Sequence, residues 1–330
     1  MTERKTALDV LIVGAGPSGL ATAIAAHEAG LSYDVLEKGV LVNSIYNFPR
    51  HMTFFTTADL LEIGGLPFVS PYDKPTQSEG LKYYRRVAEI VGLRVSLGEE
   101  VVEATRRGQR FRVSTRAASG ATRDRTARNL VFATGYYDCP NRLGVPGEDL
   151  AHVSHYYYEP HAFFRRDVVV VGGKNSAAIT ALELPRAGAR VTLVHRGASL
   201  SGSIKYWIKP DIENRIKDGA IAARFGARVV EIRAGAVVVT SGFGTEELPA
   251  QQVFLLTGYL PDTRLLEAVG VKVDAATLVP DHDPETLQTN VKGVYLAGAV
   301  ASGRFTSRIF IENGKFHGQA IVKSIISRAP

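Results

Sequence analysis

DVLIVGAGPSGLATAIAAHEAGLSYDVLEK, Asp9–Lys38, and DVVVVGGKNSAAITALELPRAGARVTLVHR, Asp167–Arg196, are one pattern written twice. They align without a gap at an offset of 158 positions. Each runs from an apolar strand through a glycine-bearing turn into a helix that ends at Ala-Gly (Ala29-Gly30, Ala187-Gly188), and then into a second strand. That arrangement seats a dinucleotide pyrophosphate on a helix N-terminus. Two copies imply an α/β protein with two Rossmann-like, three-layer dinucleotide-binding domains, and two dinucleotides.

The far rim of the two copies carries different charge. In the first it is Glu37, a carboxylate that can accept hydrogen bonds from both ribose hydroxyls, as FAD or NAD requires. In the second it is His195, with Arg196 beside it. A carboxylate repels a 2′-phosphate, whereas an imidazole and a guanidinium attract one, the guanidinium with paired donors. FAD is therefore assigned to the first copy and NADPH to the second. The first copy has the full glycine fingerprint, Gly14, Gly16 and Gly19. The second is altered: Gly172 and Gly173 are followed by Lys174 in place of the middle glycine, and Ala177 replaces the last.

A chain of 330 residues suggests about two domains. With 45% apolar and 22% charged residues it has an ordinary globular balance, which excludes a disordered chain. The N-terminal MTERKTALD precedes only a short apolar strand, so neither a signal peptide nor a membrane span is expected and the location expected is cytoplasmic. The single cysteine, Cys139, excludes an intrachain disulfide and an intrinsic CxxC pair. The net charge of +6 comes substantially from Arg106, Arg107, Arg110, Arg112, Arg116, Arg123, Arg125 and Arg128. No aromatics interleave them as in single-strand nucleic-acid binders, so they read as the outer face of a solvated β-meander, with docking of an acidic redox protein as the other reading. No histidine has metal-ligand spacing with cysteines or acids, and no metal is expected.

The apolar strands NLVFATGY (Asn129–Tyr136), VFLLTGY (Val253–Tyr259) and VYLAGAVA (Val294–Ala301) recur around the second copy, which reads as an insertion into the first domain. The expected division is 1–157 and 261–330 for the FAD domain and 158–260 for the NADPH domain, closed by a helix over Ile311–Ala329.

On these motifs the chain resembles the thioredoxin reductase-like flavoproteins over its whole length. It is more specifically similar to the bacillithiol disulfide reductase group within them, through Asn43–Phe55, Ala133–Tyr137, GGKNSA (Gly172–Ala177), SIKYWI (Ser203–Ile208) and IFIENGKFHG (Ile309–Gly318). Lys174 belongs to that group's own pattern. Two departures stand out: there is no CxxC and no acid at Ala299-Val300, as thioredoxin reductases proper have, and Ser18 stands where similar bacillithiol reductases can carry a cysteine. A serine cannot form a mixed disulfide, so either reduced flavin meets the disulfide without that thiol or the substrate differs.

The resemblance implies an FAD site made of Gly14, Gly16, Pro17, Ser18, Gly19, Glu37, Lys38, Asn47, His51, Val101, Ala133, Thr134, Gly135, Gly298, Ala299 and Lys315. The NADPH site would comprise Gly173, Lys174, Asn175, Ser176, His195, Arg196 and Lys205. Asn175 and Ser176 are expected to offer donors to the pyrophosphate and Arg196 to hold the 2′-phosphate. His51, as proton donor, and Ser18 are the catalytic candidates. The function expected is NADPH-dependent, FAD-mediated reduction of a low-molecular-weight thiol disulfide, bacillithiol disulfide, by a homo-oligomer. A ferredoxin or flavodoxin reductase, a flavin monooxygenase and a non-enzymatic flavin-binding sensor are the alternatives.

Overall fold

The computed structural model describes residues 7–328, which form two compact units. The first takes the chain through Asn47, His51–Cys139 and the part from Tyr259 onward; the second takes Phe48–Arg50 and Pro140–Gly258.

In the first unit, strands Val95–Ser96, Tyr33–Leu36, Leu8–Val13 and Thr122–Phe132 lie parallel, in that spatial order. Thr122–Phe132 does double duty. Its last residues pair in parallel with both Leu8–Val13 and Val294–Leu296, while its first half turns antiparallel against Arg110–Ala117, which pairs in turn with Glu99–Arg107. The sequence accounts for the switch. LVF is buried from both faces, as a central parallel strand must be, whereas the preceding TRDRTAR has only Ala127 fully buried and suits a solvated meander. The helix Pro17–Glu28 starts with proline at its first turn and buries Gly19–Ala26 almost all round. It can do so because it is held between the sheet and the helix His317–Ser327, where a Cβ on Gly318 would come within 2.6 Å of Thr22 Cα. The core gathers Leu11, Val13, Phe111, Phe132, Val294 and Leu296. Each such fully buried side chain contributes about 1.5–3 kcal/mol.

The second unit repeats the parallel sheet in the order Ala222–Phe225, Arg190–His195, Asp167–Val171, Gln252–Leu255 and Val153–Ser154. An antiparallel meander, Arg228–Arg233, Ala236–Ser241 and Gly244–Pro249, packs Val237 and Val239 into the same unit's core. The chain enters this unit at Cys139-Pro140 rather than at 157/158 as the sequence suggests. Residues 140–157 lie with the second unit because Val153–Ser154 adds an edge strand to its sheet, and because Pro146 accepts a hydrogen bond from the Ile232 N–H at 2.8 Å. Among the described residues no helix is long and apolar enough to cross a membrane.

Candidate functional site

The first glycine turn is shaped by what its glycines lack. Gly14 has φ +107°, and a Cβ there would lie 2.5 Å from the Ala133 carbonyl oxygen. A Cβ on Gly19 would lie 2.0 Å from the Gly14 carbonyl oxygen. These two positions press turn, helix and the Ala133–Gly135 segment together. Gly16 differs: nothing stands within 4 Å of where its Cβ would be, and as N-cap it gives the helix no side-chain cap. The first-turn amides and the open space above Gly16 form a cradle that suits a pyrophosphate.

Glu37 is 7% exposed and closes the rim of this turn. Its Oε2 accepts from the Ala15 N–H and its Oε1 from the Gly39 N–H, each at 2.9 Å. Burial raises its pKa above the ordinary carboxylate value even though both backbone donors favour the ionised form. Each oxygen has a further lone pair, so a carboxylate fixed in this way can still accept ribose hydroxyls.

Of the other residues expected at this site, Ser18 packs against two glycines. A Cβ on Gly298 would be 2.5 Å from Ser18 Oγ, and one on Gly314 would be 3.0 Å from it. The Gly298 N–H donates to His317 Nδ1 at 3.1 Å. Lys38 pairs with Asp138 at 2.9 Å, and Tyr137 Oη donates to the Asn47 carbonyl at 3.2 Å. Lys315 Nζ donates to the Leu60 carbonyl at 2.8 Å. Val101 turns its side chain into the core, which leaves only its backbone for a ligand. His51 is exposed. The Cys139 thiol is held above its usual range by burial and by the Asp262 carboxylate, so it is not a poised nucleophile.

The second turn follows the same plan with different chemistry. Gly172 has φ +153°, and a Cβ there would lie 2.5 Å from the Leu256 carbonyl oxygen. Lys174 is the N-cap of the helix Asn175–Arg186, with extended backbone. It falls at the Gly16 position of the repeat, where a side chain has open space, so a lysine replaces the glycine there without strain. The His195 ring lies so close to Gly173 and Gly197 that a Cβ on either would come within 2.2 and 2.7 Å of it. Burial, together with the adjacent Arg196 charge, lowers its pKa, so near neutral pH the ring is uncharged and fills the rim much as Glu37 does in the first copy. The cationic character at this rim therefore comes from Arg196. Asn175, expected to offer donors to the phosphates, uses its side chain on the backbone at Ser203 and Lys205, and its own N–H stands in the first turn of the helix. Ser176 is exposed on the first turn of the helix.

Three participants escaped the sequence reading: Gly39, Gly314 and Ser201. Extending the repeat by one residue pairs Gly39 with Gly197 and would have found the first; Gly314 and Ser201 contribute only through contacts across the chain. Four of the eight arginines of the meander pair with acids of their own unit: Arg112 with Asp124 at 2.6 Å, Arg116 with Glu100 at 3.1 Å and Arg128 with Asp9 at 2.8 Å, and Arg125 is joined to Glu99. Among the described residues no group of three or more His, Cys, Asp or Glu side chains is disposed to hold a metal ion.

Comparison with known proteins agrees with these two cradles. A family model described as pyridine nucleotide-disulphide oxidoreductase matches residues 11–298. The chain is 44% identical over 321 residues to a "Bacilliredoxin reductase Bdr" of Bacillus subtilis, covering 96% of this chain and 97% of the relative. Two solved structures titled bacillithiol disulfide reductase Bdr superpose on it. The Bacillus cereus protein does so with a TM-score of 0.96 at 42% identity, covering 98% of this chain and 100% of that one. The Staphylococcus aureus protein does so with a TM-score of 0.93 at 38% identity, with the same coverage.

Proposed function

Because the chain belongs to the pyridine nucleotide-disulphide oxidoreductase family, we propose that it is an NADPH-dependent FAD oxidoreductase that reduces a low-molecular-weight thiol disulfide of the bacillithiol type. The observation that carries this reading is the pair of equivalent rims: the anchored Glu37 carboxylate suits an unphosphorylated ribose, and Arg196 beside an uncharged His195 suits a phosphorylated one. The names of the relatives supply the substrate class.

When bound in the cradle of Gly14, Gly19 and Glu37, FAD would supply two-electron transfer between NADPH and the disulfide, the balance being NADPH, a proton and one disulfide to NADP⁺ and two thiols. The chain's own residues position and charge the two nucleotides. Gly14 and Gly19 bring the first helix N-terminus to the pyrophosphate, and Glu37 holds the ribose. Lys174 and the first-turn amides of Asn175–Arg186 face the second pyrophosphate, with Arg196 on the 2′-phosphate and Lys205 as a further cation. Ser18 contacts phosphate and packs against Gly298 and Gly314; it makes no bond to sulfur. With Cys139 half-buried and its thiol held above the usual range, no thiol of this chain takes part, and the substrate disulfide is reduced without a mixed disulfide to the protein. His51 is proposed as the proton donor to the leaving thiolate. The enzyme is further proposed to work in the cytoplasm as a homo-oligomer, on the family resemblance.

The test is anaerobic bleaching of the flavin by NADPH, followed by addition of bacillithiol disulfide, an oxidised bacilliredoxin, ferredoxin or oxygen. Fastest reoxidation by the small disulfide is expected. Reoxidation by ferredoxin alone would replace this reading with a ferredoxin reductase, and by bacilliredoxin alone with a protein-disulfide reductase.

A further inference from the structure

The two cradles share a backbone plan but differ in how the segment after the second strand is held. In the first unit that segment crosses the turn where the Val42 N–H donates to the Ala15 carbonyl at 3.1 Å. In the second the Ser201 N–H donates to the carbonyl of Gly173, the repeat equivalent of Ala15, at 3.0 Å. Among the described residues the second unit then adds a side-chain clasp from the helix start. Asn175 Oδ1 accepts from the Lys205 N–H at 2.9 Å, and Asn175 Nδ2 donates to the Ser203 carbonyl at 3.3 Å. The segment turns at Gly202–Ile204, where the Ile204 N–H donates to the Ser201 carbonyl at 3.3 Å, and one primary amide, an acceptor at Oδ1 and a donor at Nδ2, serves both backbone groups. The equivalent position in the first unit is Pro17, which has no group able to do this.

We propose that Asn175 is a positioning residue that pins the 201–205 segment over the second nucleotide turn and thereby sets the affinity for the phosphates of NADPH. The proposal rests on reading the second unit as the NADPH site. The loop leaves the sheet at Arg196 and is fastened again at Lys205, so two of the three cations assigned to the phosphates stand at the ends of one loop, the third being Lys174 at the helix start. The Ser201 bond and the Asn175 clasp close that loop at the helix start. Ordering it before the ligand arrives removes an entropy cost from binding. The Ser201 Oγ–Ser203 Oγ contact at 2.8 Å and the Ser203 N–H to Ser201 Oγ bond at 3.2 Å stiffen the same segment from within.

The experiment compares wild type, Asn175→Ala, Asn175→Asp, Lys205→Ala and the Asn175→Ala/Lys205→Ala double variant. It reads KM and kcat with NADPH in all five, and the rate of tryptic cleavage after Lys205 in the nucleotide-free forms of the three that keep the lysine. Asn175→Ala is expected to raise the NADPH KM about tenfold with less than about a twofold change in kcat, and to speed cleavage after Lys205. Asn175→Asp keeps the acceptor for the Lys205 amide and should be cleaved at close to the wild-type rate. In the Lys205→Ala background the alanine at 175 should add little, because the two residues act through one loop. Unchanged cleavage in Asn175→Ala, or effects on KM that simply multiply, would overturn the proposal. Wild-type protein whose flavin NADPH cannot bleach would instead sink the NADPH assignment, and the cleavage rates would still decide whether the clasp holds the loop.

Discussion

His317 Nδ1 accepts a hydrogen bond from the Gly298 N–H at 3.1 Å and so ties the start of the last helix to the end of the closing strand. An imidazole that accepts at Nδ1 carries its proton on Nε2 when neutral, and a second proton at Nδ1 would abolish the bond. Burial and the neighbouring His282 both keep the pKa of this ring below the ordinary value.

Acid should therefore loosen the first unit at this joint. The unfolded imidazole takes up a proton near pH 6.5, whereas the folded one resists to lower pH. Between those two values the unfolded chain binds more protons, so stability is complete above the unfolded pKa and is lost as pH falls through the folded one. His317→Asn retains an acceptor near Nδ1 without the titration. Melting curves from about pH 7 to about pH 5 should fall more steeply for wild type than for His317→Asn; parallel curves would show that the joint is not the sensor.

Two glycines three residues apart, Gly16 and Gly19, should part company on substitution. Gly19→Ala places a methyl 2.0 Å from the Gly14 carbonyl oxygen, a backbone atom that cannot step aside. It should cost about 1–3 kcal/mol of apoprotein stability. Gly16→Ala meets nothing within 4 Å and should leave apoprotein melting unchanged while lowering the flavin-to-protein absorbance ratio. Full flavin occupancy in Gly16→Ala would mean that the open space above Gly16 is not where the pyrophosphate lies.

Nucleotide preference should rest on Arg196 more than on His195. Arg196→Ala is expected to raise the NADPH KM by about 10–100-fold with little change for NADH. His195→Ala removes an uncharged ring that fills space between Gly173 and Gly197, and should affect both nucleotides alike. Steady-state kinetics with the two nucleotides separates these outcomes; a loss selective for NADPH in His195→Ala would assign the imidazole to the 2′-phosphate after all.

Ser18→Ala should keep bound flavin and at least about a third of wild-type turnover, since the hydroxyl packs against glycines and contributes at most one phosphate hydrogen bond. Loss of most turnover with flavin retained would make Ser18 a catalytic group.

The fold was legible because a gapless repeat carries its own register: once Asp9–Lys38 is recognised, Asp167–Arg196 follows. Glu37 and Arg196 were legible for the same reason, as rim positions at a fixed distance from a glycine turn. The state of His195 was not, because burial against Gly173 and Gly197 is a three-dimensional property that decides whether the ring is charged. The place of Asn175 at a helix start points to the phosphates; its side-chain bonds to Ser203 and Lys205 span a loop whose course leaves no local signal. The arginines from 106 to 128 read as the outer face of a solvated β-meander, and they lie on one; the acids that pair with several of them, Asp9, Glu99 and Glu100, come from neighbouring strands and leave no local signal.

The double service of Thr122–Phe132 bears on how the polypeptide matures. Its pairing with Leu8–Val13 can form early, but Val294–Leu296 docks on it only after the whole inserted unit has been synthesised. The inserted sheet draws all its strands from one uninterrupted run of chain, so it can be finished first on the ribosome, while the flanking sheet waits with one edge of Leu130–Phe132 unzipped. The flavin-side unit is thus the late and vulnerable partner in biogenesis, and a chaperone or early cofactor capture would have its greatest effect there.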